Sequence, residues 1–380
     1  MFSRIYIHIP FCKRKCSYCV FVSRAGTSSE IERYVRILMA EIRLAARETP
    51  CISSVDSIYF GGGTPSLLEP SQMREILGAI SNLYNIAADA EITLETNPGT
   101  ADIHKFKKFR SAGINRLSIG VQSFNDAMLS ALGRAHTVQQ ALSCMEAARN
   151  SGFDNVAIDL IHALHDQTLD MWRKDISQAV ALAPNHISVY GLTIEEGTPF
   201  AALYAQNTAS DDELSADMFE AAHCLLTNVG YEHYEISNYA SPGFRSRHNC
   251  GYWKRDGYLG FGCAAHSFLR DDLYGARFSN DADLAKYSSS VTGGNLPHND
   301  ITRLSRDAAM EEFMFLGLRM ADGVTFSSFK REFGASLEDE YGDIISDLAE
   351  QQLLTVDKNG AHLTTRGMLL SNHVFMRFLR

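Results

Sequence analysis

Ile9-Pro10-Phe11-Cys12-Lys13-Arg14-Lys15-Cys16-Ser17-Tyr18-Cys19 sets three thiols in a C-x3-C-x2-C spacing directly after a strand-like run, Arg4–Ile9. Three of the chain's eight cysteines fall within these eight positions. In a reducing compartment such spacing reads as a metal or redox site rather than a disulfide scaffold. Thiolates are soft ligands that select iron–sulfur clusters, zinc or copper(I). A closed structural site needs four ligands. Three thiolates on a four-iron cluster leave one iron open to a small molecule, as catalytic zinc keeps an open position. The alternative is a zinc loop completed by a distant histidine. The run Lys13–Lys15 offsets thiolate charge in either case.

Working outward from this stretch, strand-like and helical patterns alternate. Strands are expected over Arg4–Ile9, Val55–Phe60, Ala90–Glu95, Leu117–Val121, Val156–Ile161 and His186–Leu192. Helices are expected over Ser29–Arg47, Pro70–Tyr84, Asp102–Ser111, Asp126–Leu132, Val138–Ser151, Leu169–Leu182 and Asp211–Asn228, the first with Ser29 and Glu32 spaced as a capping box. Six β-then-α units build a parallel sheet, either an open barrel or a doubly wound sheet. Cys12, Gly61, Asn97, Gln122 and His162 each follow a strand, and sites in parallel α/β folds form at the carboxyl ends of strands.

With 380 residues, the chain is long enough for a large α/β domain and a smaller second one. After Gly230 the pattern changes to aromatic, Gly- and Asn-rich sequence, and Thr292–Asp300 reads as a linker. The expected division is 1–230 as the core, 231–300 as a mixed extension, and 301–380 as a C-terminal domain. A formal net charge of −10 argues against a phosphate-backbone (nucleic-acid) partner. No apolar run approaches the ~20 residues that span a bilayer, and the N-terminus lacks a signal-peptide pattern. A cytoplasmic protein is expected, with peripheral membrane association left open.

Tyr6-Ile7-His8-Ile9-Pro10-Phe11-Cys12 together with the thiol triplet resembles the radical SAM superfamily, in the branch containing oxygen-independent coproporphyrinogen oxidases and the HemW-type heme chaperones. The resemblance runs from Ile5 to about residue 370. It implies an α/β fold with an open parallel (β/α)6 partial barrel and a small, mostly helical, winged-helix-like C-terminal domain. It also implies a [4Fe-4S] cluster on Cys12, Cys16 and Cys19 that chelates S-adenosylmethionine (SAM). Gly61-Gly62-Gly63-Thr64-Pro65 is not a phosphate P-loop, because the Lys-Ser/Thr ending is missing. Alone it reads as a turn; the resemblance assigns Gly62, Gly63 and Thr64 to the methionine end of SAM. Glu95 and Asn97 share one face by strand alternation, and Glu95 suits an ammonium or a ribose hydroxyl. The resemblance carries Gln122 and Arg134 over as SAM contacts, Asp159 as a ribose contact, and Tyr6 as a group near the cluster. Two stretches depart from the pattern. Val20-Phe21 stands where relatives show Asp-Phe. Leu160-Ile161-His162-Ala163-Leu164-His165 stands where they show Leu-Ile-Tyr-Gly-Leu-Pro, which alters that loop's backbone.

The oxidases of this branch carry a further cysteine where Phe21 stands, and an extension ahead of the first strand. Arg247-His248-Asn249-Cys250-Gly251-Tyr252-Trp253 resembles the H-N-x-x-Y-W segment of the heme chaperones. His248 is therefore an axial-ligand candidate for heme, with Cys250 and His266 behind it; the bland reading is a hydrogen-bonded structural corner. The resemblance thus implies a heme chaperone whose partners are heme and an acceptor protein. If the chain is instead an enzyme, it implies a coproporphyrinogen dehydrogenase-like oxidoreductase of porphyrin biosynthesis, the oxygen-independent coproporphyrinogen III oxidase.

Overall fold

The protein is described from a computed structural model that covers residues 1–48, 54–204, 212–271 and 273–380. Six strands, β1 (Arg4–Ile9), β2 (Val55–Gly62), β3 (Ile86–Thr96), β4 (Arg116–Gln122), β5 (Asn155–His162) and β6 (His186–Gly191), pair in parallel in chain order. They alternate in what they bury. Leu117, Ile119 and Val121 are fully buried, whereas Ser118, Gly120 and Gln122 between them line a cavity inside the sheet's curve. That second, polar row explains why these strands are not uniformly apolar.

Helices Ser28–Glu48, Pro70–Leu83, Ile103–Ser111, Val138–Asn150, Leu169–Ala181 and Asp212–Asn228 follow the strands, and their apolar faces join one continuous core with β1–β6. The last was expected from Asp211, which lies outside the described residues. The capping box of the first helix is Thr27 with Glu30, not Ser29 with Glu32. The Thr27 N–H donates to Glu30 Oε2 at 2.8 Å and the Glu30 N–H to Thr27 Oγ1 at 3.3 Å, while Glu32 pairs with Arg36. The helix simply begins one residue earlier than its apolar period shows.

Beyond β6 the sheet continues antiparallel through β8 (Asn238–Ala240) to β7 (Glu232–Glu235). On the other side β9 (Tyr258–Phe261) adds in parallel to β1. It is followed by antiparallel β10 (His266–Leu269), β11 (Ala276–Ser279) and β12 (Thr302–Arg303). Among the described residues the twelve strands of this sheet end at β12 and β7, which do not pair, so the barrel is open there. Thr292–Asp300 lies along this edge. The Asp281 N–H donates to Pro297 O and the Asn299 N–H to Ser279 O.

The C-terminal segment packs helices Arg306–Gly317, Phe326–Phe333 and Leu337–Glu350 against a three-stranded antiparallel sheet, β13 (Val324–Thr325), β15 (Gly360–Leu363) and β14 (Leu354–Val356). Its own apolar cluster holds Met310, Met314, Phe329 and Tyr341. Among the described residues no helix is long and apolar enough to cross a membrane.

Candidate functional site

The thiol loop leaves β1 at Pro10 and is held from two sides and by a turn of its own. The Ser17 N–H donates to Leu132 O, the Phe200 N–H donates to Ser17 O, and the Cys19 N–H to Cys16 O. Gly133 makes the first approach feasible. Its φ is +72°, and a Cβ there would stand 2.9 Å from Ser17 Oγ. Cys12, Cys16 and Cys19 are unbridged and half-buried. Burial pushes the Cys19 thiol up, partly offset by the Phe21 N–H.

The glycine turn after β2 runs beside the start of this loop. The Gly63 N–H donates to Ile9 O at 2.8 Å and the Thr64 N–H to Phe11 O at 2.7 Å. A Cβ at Gly63 would lie 2.6 Å from Phe11 O, and Gly62 adopts φ +106° with the His8 ring against it. Only glycine permits this closeness of backbone to backbone.

Arg134 ties the pieces together. Its Nη2 donates to Asn97 Oδ1 at 2.5 Å and Gly120 O at 2.7 Å, and its Nη1 reaches Cys16 Sγ at 3.5 Å and Tyr18 Oη at 3.4 Å. Asn97 Nδ2 in turn donates to Thr64 Oγ1 at 2.9 Å. One polar chain thus links thiol loop, β4, the end of β3 and the glycine turn.

Deeper in the barrel, Glu95 accepts from the Tyr59 hydroxyl at 2.8 Å; burial raises its carboxyl to about 7 against that bond. Asp159 accepts from Ser118 at 3.1 Å and is likewise raised by burial, a shift opposed by bonds from Ser188 and Ser118. Arg116, fully buried at the start of β4, supplies positive charge that acts on both.

Of the residues expected at the site, Cys12, Cys16, Cys19, Gly62, Gly63, Thr64, Glu95, Gln122, Arg134 and Asp159 line one cavity of about 510 Å³. Gln122 Oε1, Arg134 Nε and Arg116 Nε are buried in its wall without hydrogen-bond partners. Gln122 also sits at φ +72° on a bulge where β4 shifts register against β5. Three thiols at the rim, a glycine cradle, and orphaned donors and an acceptor below are a donor set that fits a thiolate-held cluster with a zwitterionic ligand beside it. Among the described residues no group of three or more His, Cys, Asp or Glu is arranged to hold a single metal ion.

Two expected residues lie elsewhere. Tyr6 lines a neighbouring cavity, its hydroxyl 3.1 Å from His8 Nδ1. The two cavities share Val20 and Phe21. His248 is fully buried, with Nδ1 2.9 Å from Ser57 Oγ and Nε2 2.8 Å from Tyr252 Oη, its ring stacked on Tyr59. Both ring nitrogens are spent inside the fold, and the structural-corner reading describes this position. Its neighbour Asn249 does line the first cavity. Sequence reasoning missed Tyr59, Ser118, Ser188 and Arg116. The one legible signal among them was Arg116, a cation opening an apolar strand.

Residues 6–179 match the radical SAM superfamily, and residues 304–370 match the HemN C-terminal domain. The chain is 36% identical to the heme chaperone HemW of Lactococcus lactis over 98% of this chain and 96% of that protein. It is 37% identical to the heme chaperone HemW of Haemophilus influenzae, over 99% and 97%. Among solved structures, the coproporphyrinogen III oxidase HemN of Escherichia coli superposes with a TM-score of 0.83 at 24% identity, over 99% of this chain and 90% of that one; this likeness concerns the fold.

Proposed function

The chain belongs to the radical SAM superfamily, in its HemW-type branch, and on that premise we propose that it is a heme chaperone that binds heme and passes it to an acceptor protein. The observation that carries the reading is the convergence of ten residues from six separate stretches of sequence on one cavity, in a chain similar end to end to proteins named heme chaperones.

In this reading Cys12, Cys16 and Cys19 hold the [4Fe-4S] cluster. Gly62, Gly63 and Thr64 take the methionine end of SAM, Glu95 its ammonium, Arg134 its carboxylate by charge and its unpartnered Nε–H, and Asp159 its ribose. Gln122 offers its unpartnered Oε1 to the same ligand. When bound, the cluster and SAM supply one-electron chemistry. The chain's own residues orient and enclose. Arg134 places positive charge against Cys16, and Tyr59 with Ser118 keeps the two carboxylates aimed into the lumen. Tyr6 packs behind the glycine turn, where a Cβ on Gly61 would lie 3.0 Å from its ring. Residues 1–230 form the radical SAM core, 231–300 the mixed extension and 301–380 the C-terminal domain of a cytoplasmic protein.

The test is an anaerobic, cluster-reconstituted sample given coproporphyrinogen III, SAM and a reductant, with heme transfer to an acceptor apoprotein measured in parallel. Heme transfer without vinyl formation is expected. Turnover to the divinyl product would overturn the chaperone reading in favour of an oxidase.

A further inference from the structure

The second cavity, about 630 Å³, is built on one face of β1, β9, β10 and β11. Strand alternation and register set its wall. Tyr258 stands opposite Phe268, Phe268 opposite Arg277, and His266 opposite Ser279. Phe21 and Val20 of the thiol loop, 59% and 51% exposed, close the side nearest the cluster cysteines. The volume falls within the ~300–1,000 Å³ range of small-molecule sites.

Some of its polar groups are engaged within the fold and some are not. Of the two histidines on the wall, His8 is engaged at both nitrogens, by Tyr6 Oη at 3.1 Å and Val22 O at 2.8 Å. His266 is exposed, and its imidazole has no hydrogen-bond partner among the described residues. The Trp253 indole N–H on the same wall is buried and unpartnered. Arg277 lies over the Phe268 ring at 5.0 Å and pairs with Glu312 at 2.9 Å, while its Nε is unpartnered. Flat aromatic walls, a free imidazole and a guanidinium together suit a planar, apolar, iron-bearing macrocycle with carboxylate tails. Other cavities lack this set. The one between Phe11 and Asp283 has no histidine, and His186 in the SAM cavity is bonded to Tyr234.

Resting on the heme-binding reading above, we propose that heme occupies this second cavity with His266 as its axial ligand and Arg277 at a propionate. An imidazole nitrogen lone pair then replaces a water on the ferric iron, with no change of oxidation state. The macrocycle edge meets Phe21 and Val20, so cargo and cluster share one loop.

The experiment is titration of the full-length chain with ferric heme, read by the Soret band and by electron paramagnetic resonance. His266→Ala is expected to keep its melting temperature, lose the imidazole-ligated spectrum and recover it when free imidazole is added. Arg277→Ala is expected to weaken heme binding by about tenfold, the loss of a charge-assisted bond. His248→Ala is expected to leave the Soret position unchanged. A wild-type spectrum in His266→Ala overturns the assignment while leaving the heme-binding reading standing. No heme uptake by the wild-type chain overturns that reading itself.

Discussion

Glu95 shows what burial does to a single carboxyl. Desolvation raises it from 4.5 to about 7, against the Tyr59 hydroxyl bond that favours the anion. Because the folded value is the higher one, the native state holds its proton longer than the unfolded chain does. The resulting stabilisation is complete below about 4.5 and is lost as pH rises to about 7. A SAM ammonium placed beside the carboxylate, as proposed above, would reverse the preference, and binding would then expel this proton below about pH 7. SAM affinity measured by calorimetry should therefore fall by up to about tenfold per pH unit below about 7. Glu95→Gln should bind more weakly and with a flatter pH profile. Equal slopes in the two proteins would remove Glu95 as the ammonium partner.

At the scale of elements, the loop after β5 carries a cost visible in its dihedrals. Ala163 has φ +57°, in the left-handed region that favours glycine, at the position where the family resemblance implies Gly. His162 beside it is buried against Trp172, and burial lowers its imidazole to about 4. The left-handed strain costs about 1–2 kcal/mol, and glycine's extra unfolded-state entropy costs about 0.4–1 kcal/mol. Ala163→Gly should therefore gain about 0.5–1 kcal/mol, seen as a higher urea midpoint with an unchanged slope. A lowered midpoint would mean that the methyl group's packing outweighs the strain. The sequence foresaw an altered backbone here from the missing Gly and Pro. It could not tell that the chain would place an alanine in a left-handed turn here.

Across the whole molecule, the C-terminal unit is braced to the extended sheet by one buried cation. Arg255, 2% exposed, lies 3.3 Å from Glu312, pairs with Glu332, and donates to Tyr274 O at 3.0 Å. Arg270 and Arg277 reach the same two carboxylates. Removing one partner of a buried ion pair costs up to roughly 3–5 kcal/mol, less here because Arg270 and Arg277 still meet the two carboxylates. Arg255→Met should make the C-terminal unit melt ahead of the barrel, splitting the calorimetric transition. A melting profile unchanged from wild type would show that the apolar contacts around Phe219 and Met310 suffice.

The thiol spacing, the six βα units and the glycine turn were legible because each is a local pattern, read within one strand, one turn or one loop. Their order also announced a shared site at the strands' carboxyl ends. What the chain alone left open was every question of which distant group meets which. Arg134 reaches Cys16, 118 positions away, through a turn that only Gly133 can make. His248 looked like a ligand in its motif, yet tertiary packing spends both its nitrogens on Ser57 and Tyr252. His266, two strands away, is left with neither spent. The sequence determined the fold class and the three thiols that define the site, because covalent spacing limits which ligands a short loop can present. The tertiary structure alone decided which imidazole stays free, because that depends on partners brought together from across the sheet.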